Sequence, residues 1–386
     1  MIYLDNAAST PVADQVLQEM LPYLKENFGN PSSIHRFGRL ATKAVESARK
    51  KIADLIGAQP DEILFTSGGT ESNNTALFGA LEKNSASLIT SSIEHDAVLE
   101  PCKKLESQGH KVTYLPVDAS GTVDIEKLKS AITDETGLVS IMYANNEVGT
   151  IQPIGEIAQI CKQHQVLLHT DAVQAVGKIP INVRDLGVDL MSISSHKIHG
   201  PKGVGVLYIR RGVQIAPLVL GGGQENGLRS GTENVANIVG FGKACQLAKE
   251  NLDANFAYLK SLRDALIQNV SNEISHVTIN GHGKNRLPNN AHFTFLGVNG
   301  EDLIIKLDEN GIAASTGSAC SVKTQKASHV LAAMGFAHEQ IAGSLRLTVG
   351  LTNTAEEIDK TVAVLKKVVA ELRSVSPFKS KYGFAN

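Results

Sequence analysis

The segment Met191-Ser-Ile-Ser-Ser-His-Lys197-Ile-His-Gly-Pro-Lys-Gly203 carries Lys197 out of an apolar run and into a glycine-containing turn. A lysine leaving a buried strand end for a cleft is desolvated, which favours the neutral amine and makes it a Schiff-base nucleophile. A lone lysine is most often a solvated surface group, so its neighbours decide. Upstream, Leu168-His-Thr-Asp171-Ala-Val-Gln174 closes another apolar run with a carboxylate and an amide. Asp171 there suits the N–H of a protonated pyridine, and Gln174 suits a phenolate oxygen. An acid and a lysine at two strand ends is what pyridoxal phosphate (PLP) requires, because its protonated ring acts as an electron sink. Thr66-Ser-Gly-Gly69-Thr70-Glu-Ser-Asn73 adds a turn before a helical pattern, where free N–H groups and the Thr70 hydroxyl can meet a phosphate at the positive helix end. Alone that turn is an ordinary βα connection; beside Asp171 and Lys197 it gains force.

Four cysteines complete the reactive inventory. Cys102, Cys161 and Cys245 fall in helical patterns and read as buried small hydrophobes. Cys320 lies instead in Ala314-Ser-Thr-Gly-Ser-Ala-Cys320-Ser321, a run of small residues suited to an accessible thiolate. The four are too dispersed for a zinc knuckle or a redox pair, and no metal site is expected.

Positioning these groups takes alternating elements. Strand patterns at Ile63 to Thr66, Ser87 to Thr90, Val112 to Leu115, Leu138 to Met142, Val166 to Thr170, Leu190 to Ile193 and Val204 to Ile209 alternate with helical ones at Glu71 to Leu81, Ala97 to Ser107, Ile125 to Ala131 and Ile154 to His164. This predicts an α/β fold with a mostly parallel sheet. Thr10-Pro11 reads as an N-cap and first helical position, a second helix runs from Arg36 to Ile56 with Gly57 as its stop, and a long helical stretch covers Glu233 to about Val270. Strand-like runs at Val277 to Asn280, Ala291 to Phe295 and Leu345 to Val349, then a helix from Ala355 to Leu372, suggest a second unit; the Ser374 to Asn386 tail is expected to fray. The expected division is a large α/β domain of residues 15–260 and a smaller α+β domain of residues 1–14 with 261–386.

Composition narrows the classes. With 37 basic and 39 acidic residues among 386, the net charge is −2, so a nucleic-acid surface is not indicated. Mean hydropathy is −0.05, and the lack of a long apolar run excludes a membrane helix. The polar start, Met1-Ile-Tyr-Leu-Asp-Asn6, does not resemble a secretory signal, and a cytoplasmic location is expected.

Taken together these motifs resemble the PLP-dependent cysteine desulfurases of the NifS/IscS type, within the class-V aminotransferases. The resemblance covers nearly the whole chain: Tyr3-Leu-Asp-Asn-Ala-Ala-Ser-Thr10, Phe28-Gly-Asn-Pro-Ser-Ser33, Ser67-Gly-Gly-Thr-Glu-Ser-Asn-Asn74, Glu94-His95, Asn145-Asn-Glu-Val-Gly149, Ser194-Ser-His-Lys197, Arg229-Ser-Gly-Thr-Glu-Asn234 and Ser318-Ala-Cys320. It implies the aspartate-aminotransferase-like fold (PLP fold type I) and a homodimer. By resemblance, Lys197 forms the Schiff base, Asp171 and Gln174 meet the ring, and His95 stacks on it. Gly69, Thr70, Ser194 and His196 match phosphate-site positions, with Thr232 reaching in from the other subunit. Asn146 matches a residue between cofactor and substrate, and Arg346 the clamp on the substrate carboxylate, a task suited to a guanidinium. Ser195, His199 and the continuation Val322-Lys-Thr-Gln-Lys326 depart from the family pattern.

The implied reaction converts L-cysteine to L-alanine. Lys197 moves the Cα proton, and the Cys320 thiolate takes the substrate sulfur as a persulfide, with His95 handling protons. The sulfur then passes to an acceptor protein, an iron–sulfur scaffold or a tRNA-thiolation enzyme. Alternatives on the same fold are a selenocysteine lyase or a class-V aminotransferase, which needs no such cysteine; an inactive scaffold of cluster assembly disagrees with the joint presence of Lys197, Asp171, His95 and Cys320.

Overall fold

The computed structural model describes residues 1–81, 86–317 and 327–384. The motif Ser318-Ala-Cys320, and with it the expected nucleophile, lies outside the described residues, as does the continuation Val322 to Lys326.

Seven strands make the main sheet, in the order Ile63–Thr66, Gly205–Ile209, Leu190–Ser194, Leu167–Asp171, Thr136–Ser140, Ser87–Ser91, Val112–Leu115. Gly205–Ile209 runs antiparallel to both its neighbours and the remaining pairings are parallel. Successive side chains alternate between faces. Leu64, Leu88, Leu138, Leu190 and Leu207 pack with Leu77 and Leu81 of helix Gly69–Leu81, while Phe65, Ile89, Val139, Leu168 and Val206 pack on the other side with Ile52, Ile157 and Phe241. Burial of both faces is why these strands read as continuous apolar runs. The run expected at Leu138 to Met142 forms its strand over Thr136–Ser140, because the Met142 N–H leaves the ladder and donates to the Glu94 carboxylate at 2.9 Å.

The first helix starts at Asp14 rather than after Thr10. The Thr10 hydroxyl donates to the His196 carbonyl at 2.9 Å and accepts from the His199 N–H at 2.8 Å, so a side chain suited to capping ties the chain start to the Lys197 turn instead. Helix Arg36–Ile56 ends as expected at Gly57, whose φ of 72° is left-handed. The stretch expected to be one helix is two, Val235–Glu250 and Leu252–Glu273; between them Asn251 turns its side-chain amide back onto the Leu247 carbonyl at 2.9 Å.

A second core gathers around an antiparallel sheet in the order Ser344–Thr348, Asn290–Phe295, Val277–Ile279. Phe293, Phe295, Leu345 and Leu347 meet Leu303 and Leu307 of helix Gly300–Glu309, which has no counterpart among the expected elements, and Leu365 of helix Ala355–Ser374. The amino terminus joins this core: Ile2–Tyr3 pairs with Ile312–Ala313, and Leu4 is buried there. Helix Leu252–Glu273 packs Phe256 on the first core and Leu259, Leu262 and Leu266 in the second, so position 260/261 falls inside it. The carboxyl tail does not fray through Phe384. That ring meets His276 at 5.4 Å and Arg373 at 4.6 Å, since aromatic residues in a polar segment still bury against a neighbour.

Candidate active site

The carboxyl ends of the parallel strands converge, the place where open α/β sheets present ligands. Strand Leu167–Asp171 delivers Asp171, 6% exposed. Its Oδ1 accepts from the Val173 N–H at 3.0 Å and its Oδ2 from the Asn73 side chain at 2.7 Å, which fixes the carboxylate plane. Asn73 was not among the expected site residues. Its signal was spacing: three positions after Thr70 on one helix, it shares a face with that residue.

Strand Leu190–Ser194 runs into a single turn, Ser195–Lys197. Lys197 Nζ donates to the carbonyls of Ala7 at 2.5 Å and Ala8 at 2.8 Å, so the amine is held by the backbone of the chain start. Gln174 Nε2 also donates to the Ala7 carbonyl, at 2.9 Å. One amide proton is thereby used, and its other N–H stays available to a ligand. His196 Nδ1 lies 3.2 Å from Ser9 Oγ, and burial with the nearby Lys197 charge pushes its ring down to about 4.

Gly69 opens helix Gly69–Leu81 against these strand ends; a Cβ there would lie 2.7 Å from Val173 and 3.7 Å from Ser194. Only a glycine lets the turn come this close, and Thr70 follows it on the exposed side. Ser194, buried at the strand end, thus lies beside Gly69. Thr232 is not brought there: it is exposed and lines a separate cavity with Ser67 and Arg229.

His95 precedes helix Asp96–Ser107 and caps it, its Nδ1 accepting from the Ala97 N–H at 3.0 Å. The neutral ring therefore carries its proton on Nε2. Burial holds its pKa below the ordinary histidine value, opposed by the Asp171 charge and aided by that of Lys197. The cap uses Nδ1, so the site role expected of His95 would fall to Nε2.

Arg346 comes from the second core, on strand Ser344–Thr348, and is 2% exposed. Its Nη2 pairs with Asp5 at 2.7 Å, and its Nη1 donates to the Asn146 carbonyl at 3.0 Å and the Gly317 carbonyl at 3.2 Å. Its buried Nε makes no hydrogen bond among the described residues, which leaves a donor for a ligand. Asn146 is presented by the turn that Asn145 stabilises, its Oδ1 accepting from the N–H groups of Glu147 and Val148.

A profile of the family described as Aminotransferase class-V matches residues 2–361. The chain is 53% identical over 384 residues to a cysteine desulfurase IscS of Dictyoglomus turgidum, covering 99% of this chain and 98% of that one. The chain belongs to the class-V aminotransferases, among the NifS/IscS-type cysteine desulfurases. Among solved structures it is similar to a NifS-like protein, with TM-score 0.90 and 42% identity over 96% of this chain and 99% of the other. It is also similar to SspA in complex with cysteine, with TM-score 0.81 and 40% identity over 90% and 99% of the two chains.

For this cysteine desulfurase family member, the structure adds buried acids to which the sequence reading assigned no role. Glu94 accepts from Ser91 Oγ at 2.6 Å, and burial pushes its carboxyl up to about 8, so it is mostly protonated at neutral pH. Glu147 is raised for the same reason and accepts from Ser328 Oγ at 2.5 Å. His169, two residues before Asp171 on the same face, lies 2.8 Å from Ser140 Oγ and 3.0 Å from Ser192 Oγ; burial lowers it to about 3 and keeps it neutral. Cys102, Cys161 and Cys245 are buried as expected, and burial lifts all three thiols away from reactivity, the first two to about 12.

Proposed function

We propose that this chain is a PLP-dependent cysteine desulfurase that converts L-cysteine to L-alanine and passes the sulfur, carried as a persulfide on Cys320, to an acceptor protein. The observation that supports it most is the meeting of Asp171 and the Lys197 amine at neighbouring strand ends beside the Gly69 turn. These residues fit the cofactor: a carboxylate for its ring nitrogen, an amine for its aldehyde, and a helix start whose N–H groups can meet its phosphate. When bound, PLP supplies an electron-withdrawing pyridinium ring to the substrate Cα.

The chain's own groups divide the remaining work. Asp171, fixed by Asn73 and Val173, keeps the ring nitrogen protonated. Gln174 offers its remaining N–H to the ring oxygen, while Thr70, Ser194 and His196 line the phosphate end, joined in a homodimer by Thr232 of the second copy. Arg346 receives the substrate carboxylate, with Nε as the open donor, and Asn146 stands between ring and substrate. Lys197 removes the Cα proton and returns it. His95 supplies protons from Nε2, since Nδ1 is occupied by the helix cap. The Cys320 thiolate attacks the substrate sulfur; an S–S bond forms, the C–S bond breaks, and the carbon fragment keeps the electron pair and leaves, after protonation, as alanine. The departure at Val322 to Lys326 follows the nucleophile directly, so acceptor choice is its natural consequence, whether an iron–sulfur scaffold or a thiolation enzyme.

Purified protein supplied with PLP should be yellow, lose that colour on borohydride reduction, and release alanine from L-cysteine. After one turnover in wild type, mass spectrometry should find added sulfur on the peptide holding Cys320. Cys320→Ser should retain PLP and release almost no alanine. Sulfur on Cys102, Cys161 or Cys245 would overturn the assignment of the nucleophile.

A further inference from the structure

Lys197 also lines a cavity of about 490 Å³ to which neither Asp171 nor Gly69 contributes. It is walled by Leu247, Leu259, Val349 and Leu351, where the start of the chain meets the helix pair and the strand end of the second core. Its size is that of a small-molecule site. Lys178 lines it, 6% exposed, with Nζ donating to the Gln174 carbonyl at 3.0 Å and no carboxylate partner among the described residues. A buried ammonium with a single backbone acceptor is costly, and an anion would stabilise it. Asn6 and Asn289, each 2% exposed, line the same cavity with buried amide oxygens that accept no hydrogen bond among the described residues. The cavity therefore offers a cation, two idle acceptors and apolar walls.

We propose that this cavity is a second binding site, for a small apolar monocarboxylic acid bearing a hydroxyl or amino donor, its carboxylate on Lys178 and its donor on Asn6 and Asn289. The chemistry is complementary at each point: charge against charge, N–H or O–H against amide oxygen, and an aliphatic tail against Leu247, Leu259 and Val349. The site is separate from the proposed carboxylate clamp at Arg346, which does not line the cavity.

The charge state of Lys178 gives the site a pH signature. Burial and the neighbouring Lys197 lower Lys178 to about 7. The other titratable groups around it are His196, pushed down to about 4, and His199, held below the ordinary histidine value, both mainly by burial, and Asp14, which lines the cavity from an exposed position. Occupancy should follow protonation of Lys178, strong at pH 6 and weak at pH 8.5.

The test is calorimetric titration of the PLP-loaded protein with 2-hydroxy-4-methylpentanoate, which has no amine to react with the cofactor. Saturable binding at pH 6, at least tenfold weaker at pH 8.5, is expected. The neutral 2-hydroxy-4-methylpentanamide should bind at least tenfold more weakly than the acid at pH 6, a comparison made entirely on wild type. Lys178→Gln should lose binding and Arg346→Lys should keep it. No saturable binding to wild type would overturn the proposal. So would binding that survives in Lys178→Gln and disappears in Arg346→Lys, since the acid would then sit on the clamp. Both results leave the desulfurase reading untouched.

Discussion

Two corners of the site are built in different ways. The Asp171–Lys197 corner rests on the ends of paired parallel strands and on a helix start that glycine lets approach, so its geometry follows from local elements and one sheet register. The Arg346 corner is assembled from residues 5, 146, 317 and 346, which share no local element and meet only because the chain start joins the second core. The first corner should therefore control chemistry, and the second substrate capture. Their pairing state differs too: Asp171 has both oxygens satisfied, whereas Arg346 holds a buried Nε without a partner among the described residues.

Removing the amine breaks the first corner outright. Lys197→Ala should lower kcat for alanine release by about 10³-fold or more, as expected for loss of a nucleophile that is also the proton carrier. PLP should still bind noncovalently, and borohydride should no longer fix it to the protein. Labelling of the mutant at another lysine would move the site.

In the second corner, Arg346→Lys keeps the charge and loses the planar fork. KM for L-cysteine should rise roughly 10- to 100-fold with a smaller change in kcat, in line with the loss of charge-assisted hydrogen bonds. A fall confined to kcat would place Arg346 with the first corner and erase the distinction.

Asp5→Asn sharpens it. Asp5 holds the Nη2 of Arg346 at 2.7 Å and would compete with the proposed substrate carboxylate for that edge of the guanidinium. Neutralising it should lower KM about two- to fivefold, the scale of a weak charge contribution. A rise in KM would mean that Asp5 orients the guanidinium more than it competes.

The smallest effect concerns stability in acid, where the regions should behave alike. His169 in the main sheet and His292 in the second are each buried and lowered to about 3. An unfolded histidine titrates near about 6.5, so below that value the unfolded chain binds more protons. Their stabilisation is complete above about pH 6.5 and is lost progressively as pH falls toward 3. Thermal unfolding of His169→Gln and His292→Gln should each show a shallower decline across that window than wild type; an unchanged slope in either would mean that its ring is not held neutral.

The sequence by itself determined the strands, because burial on both faces writes a continuous apolar run, and it determined the first corner, because strand-end acid, strand-end lysine and a glycine turn are local patterns. Cys102, Cys161 and Cys245 were equally legible from their helical periodicity. Tertiary structure decided what depends on partners far along the chain. Thr10 is a capping residue by type, yet it bonds the Lys197 turn because the chain start is brought to the end of an interior strand. Asp5 reaches Arg346 only through the pairing of Ile2–Tyr3 with Ile312–Ala313 and the bridge from Asp5 to Thr348. Lys178 looks in sequence like any surface lysine after a glycine; its burial, and the cavity it lines, follow from helices and strands of both cores closing over it. Local periodicity reports which face of an element is covered, but desolvation and charge pairing are set by what covers it, and that is fixed only when distant segments meet.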